Sequence, residues 1–386
     1  MQLQETPAQK QLRDELREYF QALMPADERR SAGSQGAGGP RFREVVRQLG
    51  KDGWLGIGWP EEYGGRGMTE AEQFIFYDEV QRAGVPFPLV TVNTVGPTLM
   101  KHGSEELKER FLPGILTGEI VFAIGYTEPS AGTDLASLTT KAVADGEDFI
   151  VNGSKVFTTG GNTSDYVWLA TRTSTEERKH QGITILIVPC DDPGYSSSII
   201  NTVSGMTTTS TYYNNIRVPR ANVVGEVGQG WRLMTDQLNH ERLALAAVGG
   251  RSIQLYEQAF AWNKEHGGLE EPWRRREFAE LYARLEAMRL INWKLVDEVE
   301  RDALTGATAG AAKVYGTETH VEVQRRLSSL LGSETAIRPG QERAVLDGEL
   351  EQLARQGIVN TFGGGVNDVL RDMVATQRLG LPRGRR

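Results

Sequence analysis

The sequence predicts an α+β protein built in three parts: a helical N-terminal domain, a middle antiparallel β domain and a C-terminal helical bundle. Three observations carry this. Apolar residues recur at helical spacing up to about Gly118, short β-branched and aromatic runs follow to about Gly225, and long helical patterns return from about Gln229. We place the domains at residues 1–118, 119–225 and 226–386. A chain of 386 residues has ample material for such cores.

The first helix is expected at Thr6-Pro7-Ala8-Gln9, with Thr6 as N-cap, Pro7 at the first helical position and Gln9 closing a capping box. Leu12, Leu16, Tyr19, Phe20 and Leu23 then share one face. Ser31 to Pro40 reads as a surface loop rich in Gly and Ser, and helices resume at Phe42 and Glu70. In the middle region Val121–Tyr126, Phe149–Val151, Tyr166–Thr171 and Ile183–Val188 read as strands. Asp145-Gly146 and Asn152-Gly153 are turn signals between them. The spacing suits a compact antiparallel barrel or sandwich. The order helical, β, helical excludes a classical Rossmann protein, and no G-x-G-x-x-G follows a strand. Leu233, Leu238, Leu243, Leu245 and Val248 begin the C-terminal bundle, and Phe278–Val299, Ala311–Leu331 and Leu346–Ile358 continue it.

Composition narrows the function. A net charge of −8 argues against a general nucleic-acid binder, and the short basic tail Arg383, Arg385, Arg386 reads as a solvated terminus. The single Cys190 permits no intrachain disulfide and no multi-cysteine metal site; after an Ile/Val-rich run it is expected to be an inert thiol at a strand end. The five histidines lack metal-ligand spacing. The polar N-terminus has no signal-peptide character and no run spans a bilayer, so the cytoplasm is the expected compartment.

Two segments can carry chemistry. Tyr126-Thr127-Glu128-Pro129-Ser130-Ala131-Gly132-Thr133-Asp134 leaves a strand through a turn that exposes backbone N–H groups and the hydroxyls of Thr127 and Thr133. These suit the carbonyl edge of a planar heterocycle or a phosphate; an ordinary polar turn has the same composition. Asn152-Gly153-Ser154-Lys155-Val156-Phe157-Thr158-Thr159-Gly160-Gly161 ends a strand with a ring beside two hydroxyls. Phe157 can cover a flavin ring and Thr159 can bond its N5 edge, or Phe157 is simply a core residue before a Gly-rich exit.

Together, Thr-Glu-Pro-x-Ala-Gly-Thr-Asp and the following Asn-Gly-x-Lys-x-Phe-x-Thr-Gly pattern resemble the flavin-binding core of the acyl-CoA dehydrogenase family. Trp54 to Gly65, Val218-Pro219 with Val224 to Trp231, and Phe362 through Ala375 resemble other family segments, in family order. The resemblance implies the acyl-CoA dehydrogenase fold, FAD as cofactor, and flavin contacts at Ile124, Tyr126, Thr127, Gly132, Thr133, Phe157, Thr158 and Thr159. It implies removal of a proton and a hydride from the α and β carbons of an acyl-CoA thioester, with an electron-transfer flavoprotein as acceptor.

Most of the family carries the catalytic base in a Glu-Gly-Thr segment before the last helix. Here those positions are Gly364-Gly365-Val366, so that base is absent. A minority of the family places it in the first long helix of the C-terminal domain, followed by Arg, and this chain reads Asn239-His240-Glu241-Arg242 there. The resemblance therefore assigns the base to Glu241, and the backbone N–H of Gly364 to the thioester oxygen. Arg242 orients that helix, meets CoA phosphates or forms a structural ion pair. The Arg-x-x-Phe and Gln-x-x-Gly-Gly segments by which family members hold a neighbour's flavin are not evident in Trp262–Gly268 or Ser329–Glu334. This implies a non-identical partner and resembles the base-bearing subunit of the α2β2 steroid (cholesterol side-chain) acyl-CoA dehydrogenases. Two alternatives stand beside it: an acyl-CoA oxidase or flavin monooxygenase of the same fold, and a non-catalytic scaffold subunit.

Overall fold

A computed structural model describes residues 4–25, 28, 39–237 and 249–382. Glu241 and Arg242, Leu238, Leu243, Leu245 and Val248, the segment 31–38 and the basic tail from Arg383 lie outside the described residues.

The N-terminal part holds α1 (Pro7–Leu23), α2 (Pro40–Lys51), α3 (Glu70–Ala83), α4 (Gly96–His102) and α5 (Glu105–Leu116). The expected capping box opens α1: Gln9 N–H donates to Thr6 Oγ1 at 3.2 Å, and Thr6 N–H to Gln9 Oε1 at 2.9 Å. A second box, Thr69 with Glu72, opens α3. Pro40 is not the loop's last residue but the first of α2, where its missing N–H costs nothing. The Trp54–Gly65 segment is packing: Trp54, Leu55, Ile57 and Trp59 are buried. A Cβ on Gly65 would lie 2.0 Å from the Trp59 carbonyl oxygen, so only glycine fits there.

The β domain is a mixed, mainly antiparallel sheet. Its strands are β1 (Phe122–Gly125), β2 (Lys141–Asp145), β3 (Asp148–Lys155), β4 (Tyr166–Arg172), β5 (Ile183–Pro189), β6 (Tyr195–Asn201), β7 (Thr207–Pro219) and β8 (Val223–Val224). The order is β6-β7-β3-β2-β4-β5-β8, and β1 adds to β4 in parallel. Asp145-Gly146 makes the expected hairpin between β2 and β3. Asn152-Gly153 does not turn the chain. It lies inside β3, where the register with β7 shifts between Val151 and Gly153. Gly153 there adopts φ +151°, and a Cβ would meet Thr140 at 2.7 Å, so the pair marks a bulge against a close neighbour.

Both faces of the central strands are buried. Trp168, Ala170, Ile183, Ile185 and Ile187 pack with the N-terminal helices, while Val167, Leu169, Leu186 and Val188 face a second core with Val151, Ile216 and Val218. Each buried Val, Leu or Ile side chain among them contributes about 1.5–3 kcal/mol. Arg43 of α2 pins the two domains: it donates to Asp165 Oδ2 at 2.8 Å and to the Thr163 carbonyl, while Asp165 accepts the Val121 N–H at 2.7 Å.

Residues 230–237 are helical and lead into the C-terminal part. Its described helices are α6 (Gly249–Glu265), α7 (Pro272–Glu300), α8 (Gly306–Leu331), α9 (Glu349–Gly357) and α10 (Asn367–Gln377). Leu255, Phe278, Leu281, Leu285, Val323, Leu327 and Leu330 form their common core. The expected helix at Leu346 begins only at Glu349, because Leu346 and Asp347 have positive φ. The chain from Phe362 to Val366 is a loop, not helix.

Candidate active site

The segment leaving β1 and the segment leaving β3 run side by side. Val156 N–H donates to the Thr127 carbonyl at 2.9 Å, and the Lys155 ammonium donates to the Tyr126 carbonyl at 3.0 Å. That ammonium also meets the Glu128 carboxylate at 2.9 Å, with both side chains almost fully buried. Glu128 also accepts the backbone N–H groups of Thr139 and Thr140 at 2.7 and 2.8 Å. Burial pushes the Glu128 carboxyl up, but Lys155 and the Thr140 bonds outweigh it and hold the group down at about 2. This pair, which the sequence reading passed over, locks the two threonine-bearing segments together.

The structure thereby brings Tyr126, Thr127, Phe157, Thr158 and Thr159 to one place. Gly132 joins them, since a Cβ there would meet Thr127 Cγ2 at 3.9 Å. Thr127 is half-buried, and Gly132, Thr133 and Thr159 are exposed. Phe157 is not a core residue: it is 64% exposed and its backbone sits at φ +60°. Such a conformation costs a residue with a Cβ about 1–2 kcal/mol, and here it turns a large apolar ring outward. Thr159 Oγ1 lies 3.2 Å from Thr208 Oγ1. Thr158 faces inward instead. It is fully buried, its N–H donates to the Thr209 carbonyl at 3.0 Å, and its carbonyl accepts the Thr209 hydroxyl. Strand β7 thus backs the loop through Thr208 and Thr209.

Ile124 pairs with Trp168 across β1 and β4. Trp168 Nε1 donates to the Tyr126 hydroxyl at 3.1 Å, and Tyr126 in turn donates to Gln237 Oε1. Gln237, absent from the sequence-based site, is 2% exposed, and its Nε2 has no hydrogen-bond partner among the described residues. A planar heterocycle with a polar edge fits this surface: an outward aromatic ring, hydroxyl-bearing Thr127, Thr133 and Thr159, and the buried Gln237 amide, whose Nε2 lacks a partner among the described residues.

Gly364 sits in the loop between the turn Ile358–Thr361 and α10, exposed and at φ +65°. Its N–H has no acceptor among the described residues. The C-terminal bundle reaches the β domain where Arg355 of α9 donates to the Val203 carbonyl at 2.8 Å, in the link between β6 and β7. Cys190 follows β5 directly, and burial pushes its thiol up to about 12, which makes it a poor nucleophile. Among the described residues no cluster could hold a metal ion, and no helix is long and apolar enough to cross a membrane.

A helical domain, a β domain with this paired loop site and a helical bundle, in that order, define the acyl-CoA dehydrogenase fold. Family models agree: the acyl-CoA dehydrogenase N-terminal domain matches residues 6–119, the middle domain 123–217 and the C-terminal domain 228–379.

The chain belongs to the acyl-CoA dehydrogenase family, whose members are oxidoreductases acting on CH–CH bonds and generally depend on FAD. It is 45% identical over 402 residues to acyl-CoA dehydrogenase FadE26 of Mycobacterium tuberculosis, covering all of both chains. It is 46% identical over 384 residues to FadE29 of the same organism, covering 98% of each. Among solved structures, the Tcur3481-Tcur3483 steroid ACAD superposes with a TM-score of 0.97 at 64% identity over all of both chains. The ChsE4-ChsE5 complex from Mycobacterium tuberculosis gives 0.93 at 44%, also over all of both chains.

Proposed function

We propose that this chain is the base-bearing subunit of a heteromeric, FAD-dependent dehydrogenase that introduces an α,β double bond into a steroid side-chain CoA thioester. Residues 1–118, 119–225 and 226–386 act as its three domains. Ile124, Tyr126, Thr127, Gly132, Thr133, Phe157 and Thr159 would hold the flavin ring, with Thr158 bracing the loop from behind. Bound FAD would supply the acceptor for the β-hydride, and an electron-transfer flavoprotein would take the electrons onward.

Glu241 removes the α-proton. Its carboxylate stands four residues beyond Gln237 in the sequence, and Gln237 is bonded to Tyr126 of the flavin-ring segment. That bond is the observation that carries the reading, because it holds the lead-in to Glu241 against the strand the ring would rest on. Gly364 has no side chain to compete as base, and its N–H donates to the thioester oxygen as negative charge develops there. One such donor typically contributes about 2.7–4 kcal/mol in a water-excluded site. Arg242, beside the base, meets the substrate.

The steroid substrate is supported by likeness to the Tcur3481-Tcur3483 steroid ACAD, and the unlike partner by likeness to the ChsE4-ChsE5 complex and by the flavin-lending segments not evident in this sequence. The test is anaerobic titration with a panel of straight-chain and steroid acyl-CoAs. The chain is purified alone and with candidate partner subunits. Flavin retention and bleaching only with a partner, and preferentially with steroid-CoAs, are expected. Full flavin content and bleaching in the chain alone would overturn the heteromer, and a preference for straight chains would overturn the substrate.

A further inference from the structure

The loop that carries Gly364 is fastened on both sides of it. Upstream, Gly363 N–H donates to the Val359 carbonyl at 2.7 Å. Downstream, the Lys313 ammonium on α8 donates to the Gly365 carbonyl at 2.6 Å and to Asn367 Oδ1 at 2.9 Å. Asn367, the first residue of α10, is 6% exposed, and its amide donates to Thr317 Oγ1 at 3.1 Å and to Glu318 Oε1 at 3.2 Å. Lys313 lies about one turn before the adjacent Thr317 and Glu318 on α8, and the three form a seat for the start of α10. Gly364 and Gly365 both have positive φ, at +65° and +108°. Two adjacent glycines give the loop little conformational preference of its own, so its shape comes from its fastenings.

We infer that Lys313 is a positioning residue for the dehydrogenation: by holding the Gly365 carbonyl against α8 it aims the Gly364 N–H at the substrate thioester oxygen. This rests on the reading of Gly364 given above. A lysine serving only to join helices could bond any two polar groups. This one holds the carbonyl immediately after the proposed donor residue. Burial pushes its ammonium down to about 8 while the Glu318 carboxylate pulls the other way, in keeping with a cation withdrawn from water for a structural bond. Removing it frees the peptide planes around Gly364 to rotate, and a donor misplaced by about 1 Å loses much of its effect on the transition state.

The test compares wild type, Lys313→Met and Lys313→Arg in the flavin-loaded assembly. It reads the carbonyl stretch of a bound, unreactive acyl-CoA analogue by isotope-edited Raman difference spectroscopy, together with kcat and KM. In wild type the stretch falls below its value in free analogue. In Lys313→Met it returns toward the free value and kcat falls about tenfold with KM within about twofold, while Lys313→Arg retains most of both. If Lys313→Met yields no folded protein, Lys313→Gln is read in the same way. A lowered thermal midpoint with the Raman shift and kcat intact overturns the positioning role and leaves Gly364 as donor. No shift in wild type overturns the Gly364 reading itself, and the role of Lys313 with it.

Discussion

The Lys155 ammonium and the Glu128 carboxylate sit 2.9 Å apart with almost no exposure to water, and together they tie the strand-exit segment of Tyr126 to that of Phe157. A buried pair of this kind specifies geometry more than it stabilises, because desolvation offsets much of the attraction. Removing one partner leaves the other charge uncompensated. Glu128→Gln is therefore expected to destabilise the protein by about 3–5 kcal/mol and to lose flavin, measured by denaturant unfolding and by absorbance of the purified protein.

The same pair fixes a pH dependence. The Glu128 carboxyl is held at about 2 in the folded chain against an ordinary value of 4.5. Its folded pKa is depressed, so its contribution is complete above about 4.5 and is lost as pH falls toward 2. Thermal midpoints measured downward from pH 6 should drop across that window in wild type, and less steeply in Glu128→Gln. Parallel curves would show that Glu128 is not the group responsible.

Phe157 combines a left-handed backbone with an exposed ring. Phe157→Gly should relieve roughly 1 kcal/mol of backbone strain and remove the apolar cover for a flavin. We expect the flavin-free variant to unfold at the same or higher denaturant concentration than wild type, while its flavin affinity falls about fivefold. Loss of stability without loss of flavin would mean that Phe157 is a structural residue.

Arg43 reaches from α2 to the loop that follows Thr159 and to Asp165, which holds the start of β1. Arg43→Met should cost about 1.5–3 kcal/mol, the usual value of charge-assisted hydrogen bonds, and should raise the flavin dissociation constant, since both edges of the proposed ring site hang on it. Unchanged flavin affinity with reduced stability would confine Arg43 to domain packing.

Periodicity and turn chemistry made much of this fold legible in advance. Thr6, Pro7 and Gln9 fixed the start of α1, and the β-branched runs at Tyr166 and Ile183 gave β4 and β5 almost to the residue. Strands β6 and β7 were not foreseen, because Tyr195–Asn201 and the Thr207 segment are rich in Ser, Thr and Asn and lack a continuous apolar run. Their pairing supplies what their composition does not advertise, including the Thr208 and Thr209 contacts behind the site. Asn152-Gly153 misled because a bulge and a two-residue turn ask for the same residues. Within the site, the threonines and Phe157 were readable as a motif. Gln237, Lys313 and the Lys155–Glu128 lock were not, since a single polar residue on a helix or strand gives no sign of its distant partner.

The proposed function turns on Glu241 taking the α-proton. Anaerobic single-turnover mixing of the flavin-loaded assembly with its acyl-CoA substrate measures this directly, through the rate of flavin bleaching in wild type and in Glu241→Gln. A general base contributes about a hundredfold or more to rate, so bleaching in the variant should slow at least that far while substrate binding persists. Bleaching at the wild-type rate would contradict the assignment and leave this chain as a scaffold for an active partner.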